Sequence, residues 1–256
     1  MNQRERVLSV LNGEKPDRVP WFADLDYYTT ALIKRGERSD DFKTSREYIE
    51  WHKELRAGFY LQGYFPFKEI IAVCTVREWK EGNKRFRSIE TPNGTLSESW
   101  QWSDLTYSEA PVERLVKTAN DLPAYRFLFE HTRYEPEYEL ALERRELVND
   151  IGVVLCYTPR SPFMHLTAID AGIENIMGIY MEAPDAFAET LAIMKKTFDN
   201  AVEIAAGSPA EILMIPENLS SEVVGPNFFE RFMKEYQSDW VERIHGAGKF
   251  STIHPE

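Results

Sequence analysis

Long apolar runs are missing from this chain, since none approaches the roughly 20 residues needed to cross a bilayer. The first residues, Met1–Arg6, also lack the apolar stretch of a secretory signal. The chain has only two cysteines, Cys74 and Cys156, and both lie in apolar, strand-like runs, which favours buried thiols over a disulfide. No CxxC or HxxxH pair is present to form a self-contained metal site. We therefore expect a cytoplasmic protein without a membrane partner.

Basic residues are in the minority, with 30 Lys and Arg against 42 Asp and Glu, so the net charge is −12 at pH 7. This charge would repel nucleic acids and anionic membranes, so neither is expected as a principal partner. The apolar content of 43% excludes a disordered chain, and 256 residues can bury a sizeable core. We expect one domain, 1–256, that acts on a small molecule. The composition leaves the oligomeric state open.

Five apolar segments predict core strands, near residues 19–24, 67–74, 151–157, 211–216 and 250–253. Helical spacing of apolar residues separates the later segments, from Asp185 to Ala206 and from Pro226 to Ile244. Continuous apolar strands that alternate with helices indicate parallel βα units and an α/β fold. Such a series most often closes as an eight-stranded barrel, which five strands cannot do. The expected fold is therefore an incomplete TIM (β/α)8 barrel.

Residues 73–107 follow a different pattern. Turn sequences at 81–84 and 91–96 separate strand-like runs, and the second contains Asn-Gly, the strongest short hairpin signal. This segment predicts an antiparallel β insertion within the barrel domain.

Four segments of the chain resemble the uroporphyrinogen decarboxylase superfamily, in particular its cobalamin-dependent methyltransferase branch. Residues 4–21, RERVLSVLNGEKPDRVPW, are similar to the opening of that family, and TPNGTL at 91–96 resembles a hairpin of that branch. Residues 214–236 are similar to its fourth strand and following helix, and GAGKFSTIH at 246–254 to its fifth strand with a terminal histidine. The resemblance implies a TIM barrel with its active site at the C-terminal mouth. Because family members continue with further strands, we expect a C-terminally truncated chain.

The resemblance also implies a metal site and a partner protein. In the methyltransferases a zinc ion activates a thiol that exchanges a methyl group with a corrinoid (cobalamin) carried by a partner protein. The first zinc ligand corresponds to His254, and Glu256 stands where the family has a cysteine. Glu217 follows Pro216 at the end of the neighbouring strand, so it is predicted to share the metal or a proton with His254.

Further candidates for the site lie at other predicted strand ends. Asp24 and Asp26 end the first strand, and alternation along a strand favours only one of them, Asp26, as a catalytic group facing the barrel axis. Solvated acids at a strand end are the alternative interpretation. His165, near a helix start, ranks behind the other candidates. The predicted substrate-binding residues are Tyr27, Tyr28, Arg160 and Asn218, with Arg160 suited to a carboxylate.

Two alternatives to a corrinoid-linked methyltransferase remain open. The first is decarboxylation of a tetrapyrrole-like carboxylate, for which Arg160 and other basic residues should converge on the pocket. The sequence DLDYY at 24–28 replaces the arginine-rich loop of the true decarboxylases, and no aspartate occurs around 64–67. The second alternative is a non-catalytic barrel fragment that binds a corrinoid protein or a second chain.

Overall fold

The computed structural model describes residues 1–61, 63–220 and 224–255 and shows an α/β fold. The α-helices are α1 (Gln3–Leu11), α2 (Asp26–Lys34), α3 (Arg46–Glu54), α4 (Leu122–Glu130), α5 (Glu139–Val148), α6 (Pro162–His165), α7 (Ile173–Glu182), α8 (Pro184–Gly207), α9 (Gly225–Phe232) and α10 (Lys234–Gly246). The strands are β1 (Phe59–Tyr60), β2 (Phe67–Ile71), β3 (Thr75–Glu81), β4 (Lys84–Thr91), β5 (Gly94–Ser103), β6 (Ser108–Glu113), β7 (Thr132–Pro136), β8 (Gly152–Val153), β9 (Leu155–Tyr157), β10 (Ile212–Leu219) and β11 (Phe250–Pro255). Within the described part of the chain, no helix is long and apolar enough to cross a bilayer.

Successive segments of the chain lie side by side as parallel strands. Strand β1 pairs with β8, and β10 lies between β9 and β11. Only Val154 separates β8 from β9, and a parallel bridge between Phe22 and Gly58 adds a further segment beside β1. The order in space thus follows the order in sequence, which confirms the prediction of parallel βα units.

Two of the five predicted core strands were placed wrongly. The first, near 19–24, is reduced to the bridge at Phe22. Helix α2 then begins at Asp26, where an acid favours a helix start. The second core strand is β1 rather than 67–74. Residues 67–71 form β2, which pairs antiparallel with β7. The segment after β1 is rich in aromatic and β-branched residues throughout, so composition did not show which part joins the parallel strands.

The parallel strands bury both faces. On one face Val153, Leu155 and Ile212 form a core with apolar residues of α1. On the other face Leu213 packs in a core shared with Ala205 of α8 and Ile244 of α10. This division follows from the alternation of side chains along a strand.

Helix α1 closes the amino ends of the strands. Asn2 and Glu5 form a capping box at its start, as expected from their spacing. The Arg4 guanidinium donates to the carbonyl oxygen of Gly152 at 2.9 Å and pairs with Glu211, so it contacts the beginnings of β8 and β10. The opposite, carboxyl ends of the strands are therefore the end at which a site can form.

Two excursions of the chain begin at these carboxyl ends. The first follows β1 and contains β2, β7, α4 and an antiparallel sheet with the strand order β3-β4-β5-β6. This sheet extends to Glu113, so the antiparallel segment is longer than 73–107 by strand β6. The second excursion follows β9 and contains α6 and α7. Ile89 and Leu96 on the sheet's inner face are buried in the same core as α4 and α8.

Candidate functional site

Polar side chains converge where the parallel strands end. Tyr60 and Tyr157 lie at the ends of β1 and β9, and Asp24 and Asp26 follow the bridge at Phe22. Burial raises the pKa of Tyr60, and the charges of the two aspartates raise it further. Burial also raises the pKa of Tyr157, which is within electrostatic reach of both aspartates and of Arg160. Together with Asn218, these residues form what we call the strand-end site.

Glu217 is completely buried beside this site. Its Oε1 accepts a hydrogen bond from the backbone N–H of Ser161 at 3.0 Å, and its Oε2 accepts one from the Ser161 hydroxyl at 2.9 Å. Burial raises the pKa of Glu217 to about 6, although the bonds from Ser161, the amide of Gln237 and the charge of Arg160 oppose the shift. Ser161 directly precedes α6, and Gln237 belongs to α10. Glu217 therefore points toward the helices that pack on the strands.

The residues next to this pair also contact each other. The Arg160 guanidinium donates to the side-chain oxygen of Asn218 at 3.2 Å. Asn218 has a backbone φ of 52°, a left-handed conformation that asparagine tolerates better than most residues. Arg160 thus contacts Asn218, and the next residue, Ser161, contacts Glu217. Both contacts join the segment after β9 to the end of β10. The bonds that Glu217 accepts from Ser161 hold the end of β10 against the start of α6.

Arg160 and Asn218 line a cleft of about 380 Å³ that also contains Arg114. Arg114 donates hydrogen bonds to the carbonyl oxygens of Ala168 and Ile169, at 2.9 and 2.6 Å, which hold its guanidinium at the rim. Two guanidinium groups and an amide in one cleft suit a carboxylate or phosphate ligand.

Asp26 occupies a different pocket of about 220 Å³, lined also by Tyr48, Tyr60 and Tyr64. Its carboxylate forms an ion pair with Lys43, whose ammonium also donates to the Thr30 hydroxyl at 2.8 Å. The pocket thus combines one neutralised carboxylate with tyrosine hydroxyls, which suits a polar uncharged group.

Tyr27 and Tyr28 were predicted to bind substrate, and the contacts that the structure gives them are with other parts of the fold. Tyr27 donates its hydroxyl to the carbonyl of Thr106 in the antiparallel excursion. Tyr28 stacks on Trp51 with ring centroids 6.0 Å apart. Both side chains are largely exposed.

The predicted zinc ligands are His254, Glu217 and Glu256. His254 is exposed on β11, which pairs with β10, whereas both carboxylate oxygens of Glu217 are engaged by Ser161. Glu256 lies outside the described residues. Among residues 1–61, 63–220 and 224–255, no three His, Cys, Asp or Glu side chains are grouped as a metal site. A carboxylate that accepts hydrogen bonds keeps further lone pairs that a metal can use, so the zinc site at His254, Glu217 and Glu256 stays a prediction.

A buried acid network in the two excursions was not among the predicted sites. The Asp170 carboxylate accepts a hydrogen bond from the Tyr125 hydroxyl at 2.6 Å and lies 3.0 Å from Nε2 of His165. Burial would raise the pKa of Asp170, but the charge and hydrogen bond of His165, together with Tyr125, lower it. Nearby, the buried Glu98 pairs with Arg87.

Local geometry explains why sequence spacing did not reveal the network. Residues 166–170 form a π-helix, in which positions five apart are neighbours. His165 and Asp170 are five apart, whereas a search at α-helical spacing looks for pairs three or four apart. The pairing of Asp170 with Tyr125 spans 45 residues and has no local signal.

Comparison with protein-family models, with curated proteins and with solved structures gave no match to this chain. The resemblance to the uroporphyrinogen decarboxylase superfamily therefore stays a prediction that depends on the sequence motifs.

Proposed function

We propose that this chain is an enzyme with an incomplete (β/α)8 barrel of the uroporphyrinogen decarboxylase type, which transfers a methyl group between a small carboxylate-bearing molecule and a corrinoid protein. One observation carries the proposal of an enzyme: the parallel segments lie in chain order, and Tyr60, Tyr157, Arg160 and Asn218 meet at their carboxyl ends. Active sites of (β/α)8 enzymes form at that end of the strands. The choice of methyl transfer comes from the sequence motifs.

The proposed roles follow from the chemistry of each group. Arg160, held by Asn218, binds the carboxylate of the substrate in the 380 Å³ cleft, and Arg114 adds a second positive charge. Tyr157 lies within electrostatic reach of Arg160, and burial raises its pKa, so its hydroxyl stays protonated at neutral pH and donates a hydrogen bond to the substrate. Tyr60 lines the neighbouring pocket with Asp26, where it contacts an uncharged part of the substrate. Binding in this position orients the substrate toward a partner protein at the open end of the strands.

Decarboxylation is the second candidate, and one observation favours it. Arg114 and Arg160 line the same cleft, which is the convergence of basic residues expected for a substrate with several carboxylates. Both candidates share the arginine-bound carboxylate and differ in the group that leaves.

A methyl-transfer assay with two matched thiols tests the proposal. The chain is incubated with methylcobalamin and either 3-mercaptopropionate or propane-1-thiol, which lacks the carboxylate, and S-methyl products are measured by mass spectrometry. We expect 3-mercaptopropionate to be methylated about tenfold faster than propane-1-thiol, because a charged hydrogen bond from Arg160 holds its carboxylate. The Arg160→Gln variant should methylate the two thiols at similar rates.

Arg133→Gln is the control, because that side chain is an exposed arginine on β7. Absence of methylated thiol above the protein-free rate would refute methyl transfer. Release of carbon dioxide from uroporphyrinogen by the same preparation would instead support the second candidate.

A further inference from the structure

A second cleft lies between helix α2 and the inner face of the antiparallel sheet. It has a volume of about 640 Å³, within the range of small-molecule sites. Its walls include three lysines, Lys34 from α2 and Lys80 and Lys84 from the β3–β4 hairpin, together with Trp102 and Tyr107. None of these residues belongs to the strand-end site.

The three lysines bring positive charge to the cleft, and Lys80 lies within electrostatic reach of Glu109 in the same wall. Within the described residues, none of them forms an ion pair or a hydrogen bond. By contrast, Arg85 in the same cleft forms a two-pronged pair with Glu109, with contacts of 2.8 and 3.0 Å. In a chain with a net charge of −12, three such ammonium groups around one cavity create a local positive potential that attracts an anion.

An aromatic surface lies beside these charges. The Lys34 ammonium is 5.3 Å from the centre of the Trp102 ring, so helix α2 reaches across to the sheet. The indole N–H of Trp102 donates to Asp104 at 2.6 Å, which fixes the orientation of the ring. A half-buried, oriented indole next to cations can stack against a planar ring of a ligand.

The backbone of the cleft is held in an unfavourable conformation. Tyr107 has a φ of 50°, which is uncommon for a bulky residue. The preceding carbonyl, that of Thr106, accepts the hydroxyl of Tyr27 and so connects this loop to α2. Backbone strain of this kind collects at ligand sites, and here it places Tyr107 in the cleft wall.

We propose that this cleft binds a nucleotide, with the base against Trp102 and Tyr107 and the phosphates between Lys80, Lys84 and Lys34. The three ammonium groups match a short phosphate chain, and the two rings match a base. The overall negative charge of the protein opposes binding of a long nucleic acid, which favours a single nucleotide. The site stands independently of the reaction at the strand-end site.

Isothermal titration calorimetry of the whole chain tests this site with ATP, adenosine and inorganic triphosphate as probes. We expect ATP to bind most tightly, because it alone supplies both a ring and phosphates. Lys84→Gln should weaken the binding of ATP and of triphosphate by about tenfold, as for the loss of one charged hydrogen bond. The affinity for adenosine should not change. Trp102→Leu should weaken the binding of ATP and of adenosine and should not change the affinity for triphosphate.

Lys15→Gln is the matched control, because Lys15 is also exposed and lies in the loop after α1, outside the cleft. Triphosphate binding as tight as ATP binding, no ATP binding at millimolar concentration, or an equal loss in Lys15→Gln would each overturn the proposal. The lysine variants alter exposed side chains, so they decide the question even if Trp102→Leu does not fold.

Discussion

Replacing Glu217 by glutamine should change how the stability of the protein depends on pH. The carboxyl is completely buried, and its pKa is raised from 4.5 to about 6. Between these two pH values the folded protein keeps a proton that the unfolded chain releases. The stability that this proton contributes is fully present below pH 4.5 and is lost as pH rises through 6. The corresponding loss in the free energy of unfolding is about 2 kcal/mol.

The Glu217→Gln variant removes this titration and keeps the shape of the side chain. Its amide oxygen can accept from the Ser161 N–H, and its NH₂ can donate to the Ser161 hydroxyl, which then accepts instead of donating. Near pH 4.5 the wild-type carboxyl is neutral as well, so the two proteins should differ by less than about 1 kcal/mol. At pH 8 the variant should have gained about 2 kcal/mol relative to the wild type.

Urea unfolding of both proteins between pH 4.5 and 8 measures the difference. Subtracting the two curves of unfolding free energy against pH cancels the titration of other groups. Glu14→Gln, in an exposed loop, is the control, and its difference from the wild type should not change with pH. If the difference in unfolding free energy between Glu217→Gln and the wild type stays constant from pH 4.5 to 8, the Glu217 carboxyl has the same pKa in the folded and the unfolded protein. A loss of more than about 3 kcal/mol at pH 4.5 would show that the native bonds require the carboxylate.

Three further predictions concern the core and the thiols. Tyr125→Phe should lower the free energy of unfolding by about 1–3 kcal/mol at neutral pH, because it removes a hydrogen bond from the buried Asp170. Since the pKa of Asp170 is lowered, its stabilisation is present above its unfolded pKa and lost as pH falls, so this loss should shrink in acid urea titrations. Gly152→Ala should cost more than about 2 kcal/mol in thermal or urea unfolding, because its methyl group would collide with a carbonyl oxygen of β1. Thiol titration of the native protein with an aromatic disulfide should modify Cys74 before Cys156, because Cys156 is fully buried and burial raises its pKa to about 12. Equal rates for the two thiols would contradict the buried position.

Local chemistry in the sequence determined the regular elements. Apolar residues at helical spacing predicted 185–206, and the structure has α8 at Pro184–Gly207. Continuous apolar runs predicted the strands near 151–157, 211–216 and 250–253, which are confirmed, because a strand buried on both faces has no polar alternation. The helix predicted over 226–244 is interrupted at Met233, whose φ of −126° departs from helical geometry.

The tertiary structure alone decided which of several strand-like segments joined the parallel set and which polar groups met. Residues 59–60 and 67–71 both lie in a stretch rich in aromatic and β-branched residues, and their pairing with β8 or with β7 separates them. Glu217 was predicted from the sequence as a strand-end acid, yet its partner Ser161 lies 56 residues away. A sequence pattern records neighbours within a few residues, so it fixes helices, strands and turns. The environment of a buried carboxyl depends on contacts between distant segments, which form only when the chain is packed.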